Sequence, residues 1–219
     1  DILKNIELQV KAGEKSCLSG YNGSGKSLLL QLIAGLYNEF KGTISFNNIP
    51  LANWSKEELR ILIGDNLSRE EIFKGTLLEN ITLGRSYIDF SDVQEMAKIT
   101  GLSELIESLP LGYDTELLPE GKGLPKSLRL KIMITRSLVG KPKLVLLEDN
   151  FNHFNEVDKE RFLDYLLNMS CTVIAISNDS MVASKFDRVT VLNEGKILAS
   201  GALEKMKKEK WYSNVFEVK

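Results

Sequence analysis

SGYNGSGKSLLL, residues 19–30, decides how the rest of the chain is read. Gly20, Gly25, Lys26 and Ser27 fit the spacing Gly, four residues, Gly-Lys-Ser, with Tyr21, Asn22, Gly23 and Ser24 between them. Glycines at 20, 23 and 25 let the backbone curl until successive N–H groups point at one anion. Lys26 adds a positive charge for the β- and γ-phosphates, and Ser27 offers a hydroxyl to Mg²⁺. A helix starting here brings the positive end of its dipole. KSCLS before the loop reads as a strand and SLLLQLIAGL after it as a helix, which is the context such a loop requires. A nucleoside triphosphate is the expected ligand of residues 20–27.

Bulk properties narrow the class. A chain of 219 residues, 43% hydrophobic, suffices for one sizeable domain or two closely joined subdomains. The net charge of -2 provides no strong field toward nucleic acid or anionic lipid. No apolar run approaches the ~20 residues of a membrane helix. Cys17 and Cys171 sit in apolar, strand-like runs, as buried free thiols of a reducing compartment do. With the single His153 they are too few to build a zinc site.

Working outward, residues 4–10 alternate as a strand, and GTISFNNIPL (42–51) reads as a hairpin turning at Asn47-Asn48. Ser55 and Glu58 form a capping box ahead of a short helix. Residues 65–75 are polar and unperiodic. Helical stretches are expected near 76–81, 91–99 (capped by Ser91) and 103–108, then a loop over 112–124 and an amphipathic helix over 125–139. KLVLLED (143–149), a capped helix near 156–168, CTVIAIS (171–177) and the hairpin RVTVLNEGKILASG return to sheet. KMKKEK reads as a solvated helix face. Strands alternating with helices argue for a mainly parallel sheet covered on both faces.

These stretches together resemble the ATP-binding cassette of ABC transporters, the exporter type in particular. ILKNIELQVKAGEKSCLSGYNGSGKSLLLQLIAGLY is similar to that family's opening, and LRILIG with IFKGTLLENITLG to its glutamine-loop region. LGYDTELLPEGKGL resembles the loop ahead of the signature helix, KPKLVLLED the Walker B strand, and VTVLNEGKILASG the closing hairpin. The resemblance implies an α/β fold with a P-loop NTPase core, a mainly parallel sheet, a β-rich N-terminal part and an inserted helical subdomain. On that pattern residues 1–65 and 136–219 form the nucleotide-binding core and 66–135 the helical subdomain. It also implies ATP and Mg²⁺ as cofactors, with Ser27 and Glu148 at the metal. A second nucleotide-binding domain, from the same or a different chain, and a transmembrane domain, expected in the same polypeptide upstream of residue 1, are the implied partners. The cytoplasmic face of a membrane is the implied location, and nucleic acid is not an expected partner. An upstream strand with an adenine-stacking aromatic also belongs to the pattern, and Phe73 lies where the family meets its membrane domain.

The departures from the pattern carry as much information. Ser68 stands where the family has a glutamine that touches Mg²⁺ and the attacking water. The signature Leu-Ser-Gly-Gly-Gln reads Leu124-Pro125-Lys126-Ser127-Leu128. Glu148 and Asp149 replace an Asp-Glu pair, each one methylene out of register; they are the candidate catalytic residues. Asn152-His153-Phe154-Asn155 stands where the family loop ends in aspartate, and Asn178 replaces the switch histidine. Pro125 has no N–H to give a phosphate but suits a helix start. Asn178 cannot take up a proton, though its amide can hydrogen-bond a phosphate. The expected activity is therefore ATP binding with weak or absent hydrolysis, in a structural or regulatory half of a transporter dimer. Two other classes share a phosphate loop. A soluble ABC-type ATPase of DNA repair or translation would carry a long coiled-coil insertion or a second cassette, and a P-loop kinase an arginine-rich lid over 85–125; neither feature is present in these residues.

Overall fold

The computed structural model describes residues 2–37, 39–67, 72–149 and 151–216. In chain order, β1 (Lys15–Gly20) leads into α1 (Lys26–Ile33), the hairpin β2 (Ser45–Phe46) and β3 (Ile49–Pro50), α2 (Lys56–Leu62) and β4 (Ile63–Asp65). A mostly helical stretch follows: β5 (Gly75–Thr76), α3 (Leu77–Thr82), α4 (Phe90–Ile99), α5 (Ser103–Ser108), β6 (Glu116–Leu117) and α6 (Lys126–Val139). The chain returns with β7 (Leu144–Leu147), α7 (Glu156–Asn168), β8 (Thr172–Ile176), α8 (Ser180–Ala183), β9 (Arg188–Asn193) and β10 (Lys196–Gly201), and ends in α9 (Leu203–Met206) and α10 (Tyr212–Val215).

Six strands form the central sheet in the order β10-β9-β1-β8-β7-β4. Only β10 runs antiparallel, against β9. The parallel strands β1, β7 and β8 are near-continuously buried, as a sheet covered on both faces requires, whereas edge strand β10 alternates exposed and half-buried residues. Their side chains still divide by the period of two. Leu18, Leu144, Leu146, Ile174 and Ile176 meet Leu29, Leu30 and Ile33 of α1 on one face. Cys17, Val145, Leu147, Val173 and Ala175 share the other face with α6 and α7.

Several local expectations hold. Asn47 and Asn48 take positive φ (49° and 64°) at the β2–β3 turn, as a tight hairpin demands. Ser55 and Glu58 close both bonds of their capping box. Asn155 caps α7 by accepting from the Asp158 N–H at 2.8 Å. Cys17 and Cys171 are buried free thiols. Three readings change. Residues 4–10 form no strand: Ile6, Leu8 and Val10 do turn toward the core in alternation, but Asn5 sits at φ 50° and no ladder forms among the described residues. The N-cap of α4 is Asp89 rather than Ser91, which lies within the first turn. Residues 112–124 are more ordered than a loop, with two 3₁₀ turns and β6 paired to β5.

Two polar networks tie the helical stretch to α6 and to α7. Asn80, fully buried, donates to the Phe73 and Thr76 carbonyls, and Arg136 of α6 donates to the Asn80 carbonyl at 2.6 Å. Burial, with Arg85 adding repulsion, lowers the Arg136 guanidinium to about 10. Farther along α6, Lys131 Nζ reaches Asp158 of α7 at 2.8 Å and the Gly101 carbonyl at 3.0 Å. Asp158 also accepts from Asn155 at 3.0 Å and from Arg161 at 3.2 Å.

Candidate functional site

The phosphate loop leaves β1 at its carboxyl end, the side of an open α/β sheet where ligands bind. Why Gly20 is glycine is steric. Its φ is 142°, and a Cβ there would stand 2.1 Å from the Leu192 carbonyl oxygen of β9. At Gly23, φ 74°, a Cβ would meet nothing within 4 Å, so the requirement there is conformational. Helix α1 begins at Lys26 without a side-chain cap, leaving its first N–H groups to the loop's own concavity. Lys26 Nζ lies folded inside the loop, donating to the carbonyls of Gly20 at 2.8 Å and Tyr21 at 2.9 Å. Burial pulls its pKa below the usual lysine value, against the attraction of Asp149 and Glu148. Ser24 in the same loop is 2% exposed, and its hydroxyl finds no partner among the described residues.

The carboxylates stand at the end of β7, two strands away. Ser27 Oγ donates to Glu148 Oε2 at 3.1 Å, so the longer glutamate side chain reaches the hydroxyl across the sheet. Its backbone N–H is held by Asn66 Oδ1 at 2.9 Å. Asn66 is a contact that sequence reasoning missed; the only signal was a polar residue directly after β4. Asp149 is open to solvent on one side. Burial on the other pushes its carboxyl above the ordinary range, with Asp179 and Glu148 adding to the rise; the Asn178 backbone N–H and Lys26 pull the other way. The Asn178 side chain is spent on protein: it pairs with the backbone of Gly20 instead of standing free for a phosphate. Ser68 lies outside the described residues.

The signature segment begins α6. Pro125 is its N-cap residue, and its carbonyl accepts from the N–H groups of Leu128 and Arg129, both at 3.1 Å. Proline there removes no intrahelical hydrogen bond, though α6 starts without a side-chain cap, and Pro125 and Lys126 are exposed. Of the segment 152–155, Phe154 is buried and stacks on Phe162 at 5.1 Å, and His153 sits half-buried in a 3₁₀ turn. Trp54 packs edge-on to Phe46, and Phe73 remains 41% exposed with Arg136 over its ring. No cluster of metal-ligating side chains occurs among the described residues beyond this carboxylate pair and hydroxyl.

Comparison with known proteins agrees with this geometry. The ABC transporter family profile matches residues 3–152. The lactococcin-A transport/processing ATP-binding protein LcnC of Lactococcus lactis subsp. lactis is 31% identical over 204 residues, 92% of this chain and 28% of its own length. The ABC transporter ATP-binding protein YfiB of Bacillus subtilis (strain 168) is 30% identical over 218 residues, 99% of this chain and 38% of its own. A bacterial Atm1-family ABC exporter with ATP bound superposes with a TM-score of 0.87 at 25% identity, over 97% of this chain and 38% of that one. The chain thus spans about a third of the length of these relatives. No helix among the described residues is long and apolar enough to cross a membrane. A family match over more than half the chain, a P-loop at the end of β1 and an exporter cassette's fold lead to one assignment: this chain belongs to the ABC transporter family.

Proposed function

We propose that this chain is the ATP-binding domain of an ABC exporter, that it binds Mg-ATP through Gly20–Ser27, and that it hydrolyses ATP weakly or not at all. The observation that carries the reading is the contrast at the sheet's end: Ser27 and Glu148 in contact at 3.1 Å, the Asn178 side chain committed to the Gly20 backbone. The Ser27 hydroxyl and Glu148 carboxylate are hard oxygen donors of the kind Mg²⁺ accepts together with several waters. Such an ion would neutralise phosphate charge. Catalysis would fall to Asp149 and Glu148. A general base is judged first on reach, and Asp149 is a methylene shorter than the family glutamate. Asn178 cannot exchange a proton, and Pro125 brings no N–H to a partner's nucleotide.

By the same reading, residues 1–65 and 136–219 form the nucleotide core and 66–135 the helical subdomain. A transmembrane domain in the same polypeptide holds the cassette at the cytoplasmic face of the membrane, and a second nucleotide-binding domain, identical or different, completes the dimer. Millimolar Mg-ATP should raise the melting temperature; at 100 times Kd, linkage supplies about 2.7 kcal/mol. That corresponds to roughly 5–10 °C for a domain of this size. Lys26→Ala should remove the shift. Phosphate release should stay at background. An equal shift in Lys26→Ala would refute the binding site. Turnover of ~1 s⁻¹ or faster, the low end for ordinary enzymes, that is lost in Lys26→Ala would refute weak hydrolysis.

A further inference from the structure

We propose that Asn178 is a positioning residue for nucleotide binding, a two-point latch that fixes Gly20 and keeps its carbonyl hydrogen-bonded when Lys26 leaves it. Asn178 Oδ1 accepts from the Gly20 N–H at 3.1 Å, and Nδ2 donates to the Gly20 carbonyl at 3.0 Å. One primary amide thus satisfies both polar groups of the loop's first residue. A primary amide carries donor and acceptor side by side at the right reach. A neutral imidazole carries its donor and acceptor on separate ring nitrogens and cannot make this pair.

The segment bearing the latch is itself anchored. The Ser177 N–H donates to the Leu18 carbonyl at 3.1 Å, the Ser177 carbonyl accepts from Ser19 Oγ at 2.6 Å, and Asp179 accepts from Lys159 of α7 at 3.3 Å. The Gly20 carbonyl has a second donor, Lys26 Nζ at 2.8 Å. Phosphate competes for that ammonium. With Asn178 present, the carbonyl still has a donor once Lys26 is drawn away; without it, an acceptor is stranded in the loop wall, which opposes binding. A position that reads phosphate in the family pattern here prepares the loop instead. The inference rests on nucleotide binding at the phosphate loop.

Calorimetric titration of the full-length protein with Mg-ATP tests it in wild type, N178A, N178L, N178H and K26A, alongside melting of each without nucleotide. N178A and N178L are expected to bind roughly tenfold more weakly, the effect of about one lost hydrogen-bonded partner. N178H is expected to fall with them. Unchanged affinity in N178A with only a lower melting temperature would overturn the latch, leaving Asn178 as a fold residue. Tighter binding by N178H than by wild type would overturn it too, since the position would then read phosphate. Should the 178 variants fail to fold, amide exchange at Gly20 in the wild type decides: protection supports the latch, and rapid exchange sinks it. Absence of binding in wild type, or equal binding in K26A, would instead refute the nucleotide site beneath it.

Discussion

Replacing Gly20 by alanine should be far more damaging than the same change three residues later. The new Cβ at position 20 would lie 2.1 Å from the Leu192 oxygen, 2.8 Å from its nitrogen and 2.9 Å from its carbonyl carbon. All three are backbone atoms of a central strand, so no side-chain rotation relieves the overlap. Either β9 shifts or the loop does, and the loop carries the Asn178 and Lys26 hydrogen bonds with it. Overpacking of this kind costs about 1–3 kcal/mol, and a disfavoured backbone conformation a further 1–3 or so. A total of about 4 kcal/mol lowers the melting temperature by roughly 8–16 °C in a domain of this size. Gly23→Ala meets open space and retains only the left-handed penalty, about 1–2 kcal/mol. Thermal and urea denaturation of both variants, without nucleotide, measures the difference. Equal losses, or a loss below ~1 kcal/mol for Gly20→Ala, would refute the steric reasoning.

Three further outcomes are expected. Because the Asp149 carboxyl is raised above its ordinary value of 3.8 in the folded state, ionisation there opposes folding; Asp149→Asn should stabilise the nucleotide-free protein at neutral pH, the gain fading as pH falls toward 3.8. Melting curves from pH 4 to 8 test this, and a gain that grows on acidification would contradict it. Cys17, fully buried with its thiol pushed up to about 12, should resist iodoacetamide at pH 8 in the native protein, and complete alkylation within minutes, read by mass spectrometry, would be inconsistent with that burial. Lys131→Met should cost about 2–3 kcal/mol, below the usual figure for breaking a buried pair because Arg161 and Asn155 remain on Asp158. Adding Asp158→Asn should recover part of the loss, and strict additivity in the double-mutant cycle would argue against the pair.

The parts of this fold that rest on local chemistry were legible in the residues. The loop 20–27, the Asn47-Asn48 turn, the Ser55–Glu58 box and α7 with its Asn155 cap each depend on a few neighbouring side chains and stand where their spacing puts them. Residues 4–10 misled because alternation reports which side chains face the core, not whether the backbone has a partner. Asp89 caps α4 where Ser91 was expected: both residue types suit a cap and stand two positions apart, so residue type alone does not place the helix start. The site was half legible. Identities at 26, 27, 148 and 149 could be read, but not that Glu148 spans to Ser27 or that Asn178 turns back on Gly20. Those contacts join residues 121 and 158 positions apart, and the strand order sets them.

The ion pair between Lys131 and Asp158 has a consequence for grafting. The proposed borders at 66 and 135 would make the helical stretch a module to exchange between cassettes. Yet α6 runs unbroken from Lys126 to Val139 across one of those borders. Lys131 on one side holds Asp158 on the other, and Arg136 on the core side holds Asn80 inside the stretch. A chimera joined at these positions would inherit a carboxylate that is 4% exposed, with its α6 cation supplied by a foreign sequence. The transplantable unit is therefore larger than its sequence borders: it has to keep α6 whole and carry Lys131 together with its Asp158 partner on α7.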